Sequence, residues 1–179
     1  MKLGTIYLDG KIVPIVQGIE GKAHNLLDVC MKLEISQINS ILDLINLSND
    51  NPNLLNNITN ASEELVGFDP IDWAPPIINP SKILGVAFNN KELMKKAHKD
   101  PGVPNYFLKP PSALQAHEKP IIVDPDWGAV IPEPEICAVI GKRAKHISEE
   151  EALNYVFGYM IHNDVTCLLY TSDAADESS

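Results

Sequence analysis

The chain has 179 residues, of which 45% are hydrophobic and 21% are charged, and its 14 basic against 24 acidic side chains give a formal net charge of −10. A chain of this length buries about two thirds of its unfolded surface, so it needs neither disulfides nor structural zinc to form a core. The acidic balance argues against nucleic acids and anionic membrane surfaces as partners, because both attract clustered Lys and Arg.

The cysteines and the apolar runs bear on the compartment of the protein. Cys30, Cys137 and Cys167 are an odd number without a Cys-x-x-Cys pair, which predicts reduced thiols and no zinc site. No run approaches the roughly 18 apolar residues of a spanning helix, and the chain does not open on a basic-then-apolar signal. We therefore expect a cytoplasmic protein with no membrane partner.

The N-terminal segment has the patterns of a hairpin followed by two helices. Alternating residues at 3–8 and 11–16 flank Asp9-Gly10, a dipeptide that tolerates positive φ and predicts a tight turn. Apolar residues then recur at helical spacing through 26–33 and 38–45. These patterns predict a β-hairpin and two short amphipathic helices.

A change of composition divides the chain near residue 70. Residues 46–62 are rich in Asn, which favours turns over helices, so this stretch is predicted to be a linker. Of the 14 prolines, 12 lie between Pro70 and Pro134, which favours strands with stiff connections over a helical bundle. We predict a small domain with its linker at 1–69 and the first part of a β-rich domain at 70–166.

The second domain contains short apolar runs and two helical patterns. Ser148 followed by Glu151 is a capping-box pattern, which predicts a helix that ends at Gly158. The next run, 159–164, reads as a strand that ends in polar side chains and so delivers them to a cleft. Three further strands are predicted at 83–88, 121–123 and 136–140, and a helix at 91–99.

Three carboxylates are predicted to converge beside these strands. Glu133 and Glu135 would point to the same face of a strand because side chains alternate along it, and Asp164 ends the next strand. Acidic groups beside an apolar strand are costly unless a cation neutralises them. An all-oxygen donor set selects Mg²⁺, Mn²⁺ or Ca²⁺ over zinc or copper. The alternative reading is a solvated pair of glutamates on an edge strand.

Three motifs in a fixed order carry a resemblance to a protein family. They are the segments 104–114, 133–142 and 158–166, with Ser-Glu-Glu-Glu-Ala-Leu between the last two. From about residue 76 to 166 the chain resembles the fumarylacetoacetate hydrolase family, and its N-terminal hairpin is similar to the small lid domain of many members. The resemblance implies an α+β, mostly β fold, in the form of a mixed β-sandwich or roll that is incomplete in this chain. A small hairpin-plus-helix domain is expected to precede it.

The resemblance also implies a cofactor and a substrate class. In that family the Glu-x-Glu pair and the Asp of the Asn-Asp-Val segment hold Mg²⁺ or Mn²⁺, which corresponds to Glu133, Glu135 and Asp164. The substrates would be small oxo-acids with a β-dicarbonyl or enol unit, as in the catabolism of aromatic compounds, and the cation would stabilise an enolate. Carbon–carbon hydrolysis, decarboxylation and isomerisation all stay open, and the full-length protein is expected to be a homodimer.

Two further positions are matched to substrate binding, and one to catalysis. Lys109 lies in the family's Phe-Leu-Lys-Pro segment and is expected to contact a substrate carboxylate, the alternative being a solvated lysine. Asn89 stands where the family has Asn-Tyr followed by a water-activating His, but Leu93 occupies that histidine's position. His98 is a candidate base by residue type only, because it lies more than one helical turn further on, and an exposed histidine is its alternative. Isomerisation or decarboxylation, which need no activated water, are therefore better supported than hydrolysis.

The resemblance stops after Thr166. Residues 167–179 lack the family's continuation and resemble translated sequencing-adaptor DNA, so we interpret them as an artefactual tail. On this interpretation the strands that should pair with 136–140 are missing, which leaves sheet edges open. The rival to an enzyme is thus a non-catalytic or truncated fragment, or a binding module, of the same fold.

Overall fold

The N-terminal part is a four-stranded antiparallel sheet with three helices packed on it. The computed structural model describes residues 1–63, 65, 67–70, 72–97 and 102–168. The strand order in this sheet is β3-β2-β1-β4. Its elements in chain order are β1 (Leu3–Leu8), β2 (Lys11–Gln17), β3 (Ala23–Asn25), α1 (Leu26–Lys32), α2 (Ile41–Ser48), α3 (Leu54–Ser62) and β4 (Trp73–Ala74).

Local sequence rules account for the hairpin and the first two helices, and these predictions are confirmed. Asp9 and Gly10 take φ values of 50° and 73° between the paired residues Leu8 and Lys11, which is the mirror-image turn that suits the twist of a hairpin. The Ser40 hydroxyl accepts the backbone N–H of Asp43 at 3.1 Å at the start of α2, a cap that contributes about 1 kcal/mol.

The prediction of a linker at 46–62 is wrong. Residues 46–48 complete α2, and α3 occupies the last nine positions of the stretch. Leu54, Ile58 and Ala61 lie on one face of α3 and are buried in the core cluster. The burial of these three side chains outweighs the low helix propensity of the asparagines between them, since propensity differences are only about 0.7 kcal/mol per residue.

Burial is distributed unevenly along the chain. The buried apolar side chains of the described residues all lie between Ile6 and Ala74, and most of them form two clusters on the two faces of β2. In the described part after Ala74, Asp164 is the sole side chain in the buried class, with 3% of its surface exposed. A single buried carboxylate in an otherwise open region identifies the neighbourhood of Asp164 as one that needs a chemical explanation.

The second part consists of two-stranded antiparallel pairs, in which β5 pairs with β6, β7 with β10 and β8 with β9. Gly85 lies opposite Phe107 in the first pair, and a side chain at Gly85 would collide with the Phe107 ring. The elements are β5 (Ile83–Ala87), α4 (Lys91–Ala97), β6 (Asn105–Lys109), β7 (Val130–Ile131), β8 (Pro134–Ile140), β9 (Val156–Asn163) and β10 (Thr166–Cys167). The predicted combination of α and β elements is confirmed.

Two predictions in this part are wrong. Residues 121–123 form no strand, and Ile122 is 85% exposed, because no described segment pairs with them. The capping-box contacts between Ser148 and Glu151 do form at 3.3–3.4 Å, but they lead only into a short 3-10 turn at Ala152–Tyr155. Val156 already pairs with Ile140, so Gly158 lies inside β9 and does not end a helix. Cross-strand pairing outweighs the local helix signal.

Candidate functional site

The predicted carboxylates lie at an interruption in one long hairpin. Ile131 pairs with Thr166 and Pro134 pairs with Asn163, so the two halves of the hairpin keep one register and Glu133 faces Asp164. The backbone N–H of Asp164 donates to the Glu133 carbonyl at 2.9 Å. The N–H of Glu133 donates at 3.1 Å to the side-chain oxygen of Asn163 instead of a backbone carbonyl of the opposite strand. The regular backbone hydrogen-bond pattern between the two strands is therefore interrupted at this position.

The Glu133 carboxylate is held by a hydroxyl group. Thr166 Oγ1 donates to Glu133 Oε2 at 2.7 Å, a short distance typical of a hydroxyl that bonds to a charged acceptor. The same hydroxyl oxygen lies 3.3 Å from the Asp164 carbonyl. Asn163, Asp164 and Thr166 therefore all contact Glu133 from the opposite strand.

Asp164 is neutralised by a lysine from a different strand pair. The Lys109 ammonium at the end of β6 forms an ion pair with Asp164 Oδ1, and Lys109 also donates to the Val165 carbonyl at 3.2 Å. Because an isolated charge is costly to bury, the ammonium explains how Asp164 tolerates its position. The predicted ligand and the predicted substrate-binding residue are thus in direct contact.

Strand alternation places the polar residues on one face of the β8–β9 pair, as predicted. Glu135 lies directly opposite His162, and both are half-buried with Asp164 at the end of the same face. The other face exposes Ile136 and Ile161. Burial raises the pKa of the Cys137 thiol, and the negative charge of Glu135 on the same face raises that pKa further.

The donor chemistry fits a hard divalent cation, but a closed ligand cluster is not formed. Carboxylate oxygens of Glu133, Glu135 and Asp164 on one face are the ligands that Mg²⁺ or Mn²⁺ prefers. In the described ranges, no three His, Cys, Asp or Glu side chains stand together closely enough to hold a metal ion. The assignment of these three residues as ligands stays a prediction.

Among the remaining predicted site residues, Asn89 has no hydrogen bond to the three carboxylates in the described ranges. Asn89 is exposed between β5 and α4, next to Phe88, whose φ is 54°. His98 lies outside the described residues. Their predicted roles are untested.

Asn163 and Thr166 are site residues that the sequence did not single out. Both belong to the same motif as Asp164, and their proximity to it was the available signal. Hydrogen bonds to Glu133, 30 and 33 positions earlier in the chain, become visible only through the strand register.

The comparison with protein families settles the identity of this fold. The sequence profile of the fumarylacetoacetate hydrolase C-terminal domain matches residues 82–177, which is more than half of the chain. The chain belongs to the fumarylacetoacetate hydrolase family. The match includes β5 to β10 and continues into the segment predicted to be an artefactual tail, an interpretation that stays a prediction.

The chain is similar to curated proteins, two of which carry the names of enzymes. A domain-containing protein 2 homolog of this family from Dictyostelium discoideum is 32% identical over 145 residues, covering 72% of this chain and 47% of its own. A mitochondrial oxaloacetate tautomerase of Xenopus laevis is 30% identical over 107 residues, covering 59% and 34%. A caffeoylpyruvate hydrolase of Neonothopanus nambi is 38% identical over 79 residues, covering 37% and 25%. The matched part thus spans less than half the length of each relative.

A solved structure shows the same fold. The fumarylacetoacetate hydrolase of Exiguobacterium antarcticum superposes with a TM-score of 0.70 at 22% identity, covering 98% of this chain and 59% of that one. The predicted fold of the fumarylacetoacetate hydrolase family is confirmed. Within the described residues, no helix is long and apolar enough to cross a membrane.

Proposed function

We propose that this chain is part of a divalent-metal-dependent enzyme that acts on small oxo-acids, with Glu133, Glu135 and Asp164 as the cation ligands. The observation that carries the proposal is the burial of Asp164 directly across from Glu133 at the break in the hairpin. Oxaloacetate and caffeoylpyruvate, which the names of two relatives specify, are both oxo-acids. The shared chemistry supports the substrate class.

The residues of this chain would have separate tasks. When bound, Mg²⁺ or Mn²⁺ supplies Lewis-acid stabilisation of the negative charge that develops on an oxo-acid. Lys109 provides a fixed positive charge beside Asp164 and is the group we assign to a substrate carboxylate. Thr166 and Asn163 hold Glu133 in place. Isomerisation or decarboxylation is favoured over hydrolysis, since Leu93 replaces the histidine that would activate water.

Titration calorimetry with Mn²⁺ tests the ligand set. Glu135→Gln removes one charge at nearly constant volume, and Glu135 makes no side-chain hydrogen bond among the described residues, so the variant is expected to fold. We expect the wild-type chain to bind Mn²⁺ and the variant to bind it at least about 10-fold more weakly, the lower limit seen even for outer-shell changes.

Asp126→Asn is the matched control, because it removes one charge from an exposed turn after Asp124. This control should bind Mn²⁺ like the wild type. Equal affinity of Glu135→Gln and the wild type would contradict the ligand assignment.

Oxaloacetate and acylpyruvates, assayed with and without Mn²⁺, then test the substrate class. The cytoplasmic location and the homodimer of the full-length protein stay predictions.

A second candidate is a non-catalytic module of the same fold. The exposed apolar face of the β8–β9 pair, where Ile136 and Ile161 are 82% and 87% exposed, favours a surface that contacts another protein segment. Binding of Mn²⁺ without turnover of any oxo-acid by a folded full-length protein would favour this candidate over the enzyme.

A further inference from the structure

The contacts of Glu133 come from one short segment, 163–166. The backbone N–H of Glu133 donates to the Asn163 side chain at 3.1 Å, and the Glu133 carbonyl accepts the Asp164 N–H at 2.9 Å. Glu133 Oε2 accepts the Thr166 hydroxyl at 2.7 Å. The backbone and the carboxylate of Glu133 are therefore both fixed from the opposite strand.

The Thr166 hydroxyl has two acceptors within reach but only one proton to donate. Glu133 Oε2 is at 2.7 Å and carries negative charge, whereas the Asp164 carbonyl is neutral and lies at 3.3 Å. A hydrogen bond to an ionised acceptor is shorter and about twice as strong as a neutral one, so the proton belongs to Glu133.

The position of Thr166 is itself determined by strand pairing. Thr166 pairs with Ile131 in the β7–β10 pair, and the following Leu168 N–H donates to the Ala129 carbonyl at 3.0 Å. The hydroxyl therefore approaches Glu133 from a fixed backbone. One oxygen of Glu133 is taken up by this bond, while Oε1 has no hydrogen-bond donor among the described residues.

We propose that Thr166 is a positioning residue that holds Glu133 so that a single carboxylate oxygen, Oε1, is offered to a cation beside Asp164. This inference rests on the proposed function, because it assigns to Glu133 the part of a one-oxygen ligand. Without the hydroxyl, the Glu133 side chain gains rotamer freedom and loses this orientation, so cation binding must then pay the cost of ordering it.

Substitutions at Thr166 test the proposal through Mn²⁺ affinity measured by calorimetry. Thr166→Val keeps the branched shape that suits a strand and removes the hydroxyl, and we expect about 10-fold weaker binding. Thr166→Ser restores the hydroxyl and should bind within about threefold of the wild type. Thr59→Val removes a hydroxyl that donates to Leu55 inside α3 and should leave the affinity unchanged. Wild-type affinity in Thr166→Val would overturn the inference.

A metal-free measurement separates this inference from the proposed function. Melting temperatures of Thr166→Val, Glu133→Ala and the double variant form a double-mutant cycle without added cation. We expect the double variant to melt higher than the two single shifts added together predict, because both changes remove the same bond. Additive shifts would overturn the inference even if Mn²⁺ binds. Coupled shifts in a chain that binds no Mn²⁺ would support the contact and overturn the proposed function.

Discussion

At the residue scale, the ion pair of Lys109 with Asp164 compensates the charge of a buried carboxylate. Asp164 has 3% of its surface exposed, and the Lys109 side chain is 26% exposed. Removing one partner of a buried pair leaves the other charge without compensation, which costs more than the pair itself contributes. Lys109 thus joins the β5–β6 pair to the segment that carries Asp164 and Val165.

We predict that Lys109→Met lowers the free energy of unfolding by about 3 kcal/mol, since methionine keeps the aliphatic stem and leaves Asp164 buried without a cation. Urea denaturation followed by tryptophan fluorescence measures the loss. Lys22→Met is the matched control, because its ion pair with Asp69 is exposed and should cost below about 1 kcal/mol. Equal losses in the two variants would show that the Lys109 pair contributes no more than a surface contact.

The same pair marks the limit of sequence-based prediction at the site. Alternation along the strand correctly placed Glu133 and Glu135 on one face, and Asp164 lies at the end of the same face. The contact of Lys109 with Asp164 joins residues from different strand pairs. No residue next to either of them in the sequence indicates that the two side chains meet. Pairing between distant segments is decided by tertiary structure, which local patterns do not encode.

At the element scale, success and failure follow the origin of each stabilising contact. The turn at Asp9-Gly10 is made by neighbours in sequence and was predicted, and the Ser40 cap of the predicted second helix is equally local. The helix α3 is stabilised by Leu54 and Ile58, which pack into a core formed together with other elements. The local sequence shows only the asparagines and not this core, and it therefore predicted a linker. The segment after Ser148 received its cap but became a strand, because Val156 pairs with Ile140.

Substitution of Ile58 tests the account of α3. Ile58 is fully buried, so Ile58→Ala should lower the free energy of unfolding by about 3 kcal/mol, through lost burial and the cavity that remains. The neighbouring Asn57 is exposed, and Asn57→Ala should change that free energy by less than about 0.5 kcal/mol. Thermal or urea denaturation of both variants measures the difference. A small effect at Ile58 would mean that α3 contributes little to the core.

At the scale of the whole molecule, the packed core and the candidate site occupy different parts of the chain. The apolar core lies within residues 6–74, whereas the carboxylates lie between 133 and 164. Polar contacts connect the two parts: Asn49 donates to the Gly141 carbonyl at 2.8 Å, and Thr5 donates to the Pro76 carbonyl at 2.8 Å. The predicted division near residue 70 is untested.

The exposed face of the β8–β9 pair predicts a measurable surface property. We expect the chain to bind the fluorescent dye ANS, and the double variant Ile136→Thr and Ile161→Thr to give a weaker signal, because both side chains are more than 80% exposed on one face. Met31→Thr is the control, since Met31 is 67% exposed on α1 and should leave the signal unchanged. Undiminished ANS fluorescence in the double variant would contradict the prediction that this face of the β8–β9 pair is an exposed apolar surface that binds the dye.

The interruption of the hairpin has a consequence for self-association. Pro132 and Pro134 alternate with Glu133, whose backbone groups face the opposite strand, so both proline nitrogens point to the outer edge of the hairpin. A strand that added to this edge would find no N–H donor at either position, and proline is one of the residues that natural sheets use against edge-to-edge polymerisation. We therefore expect the two prolines beside the acidic site to disfavour edge-to-edge pairing at the start of β8, a strand whose apolar face is exposed.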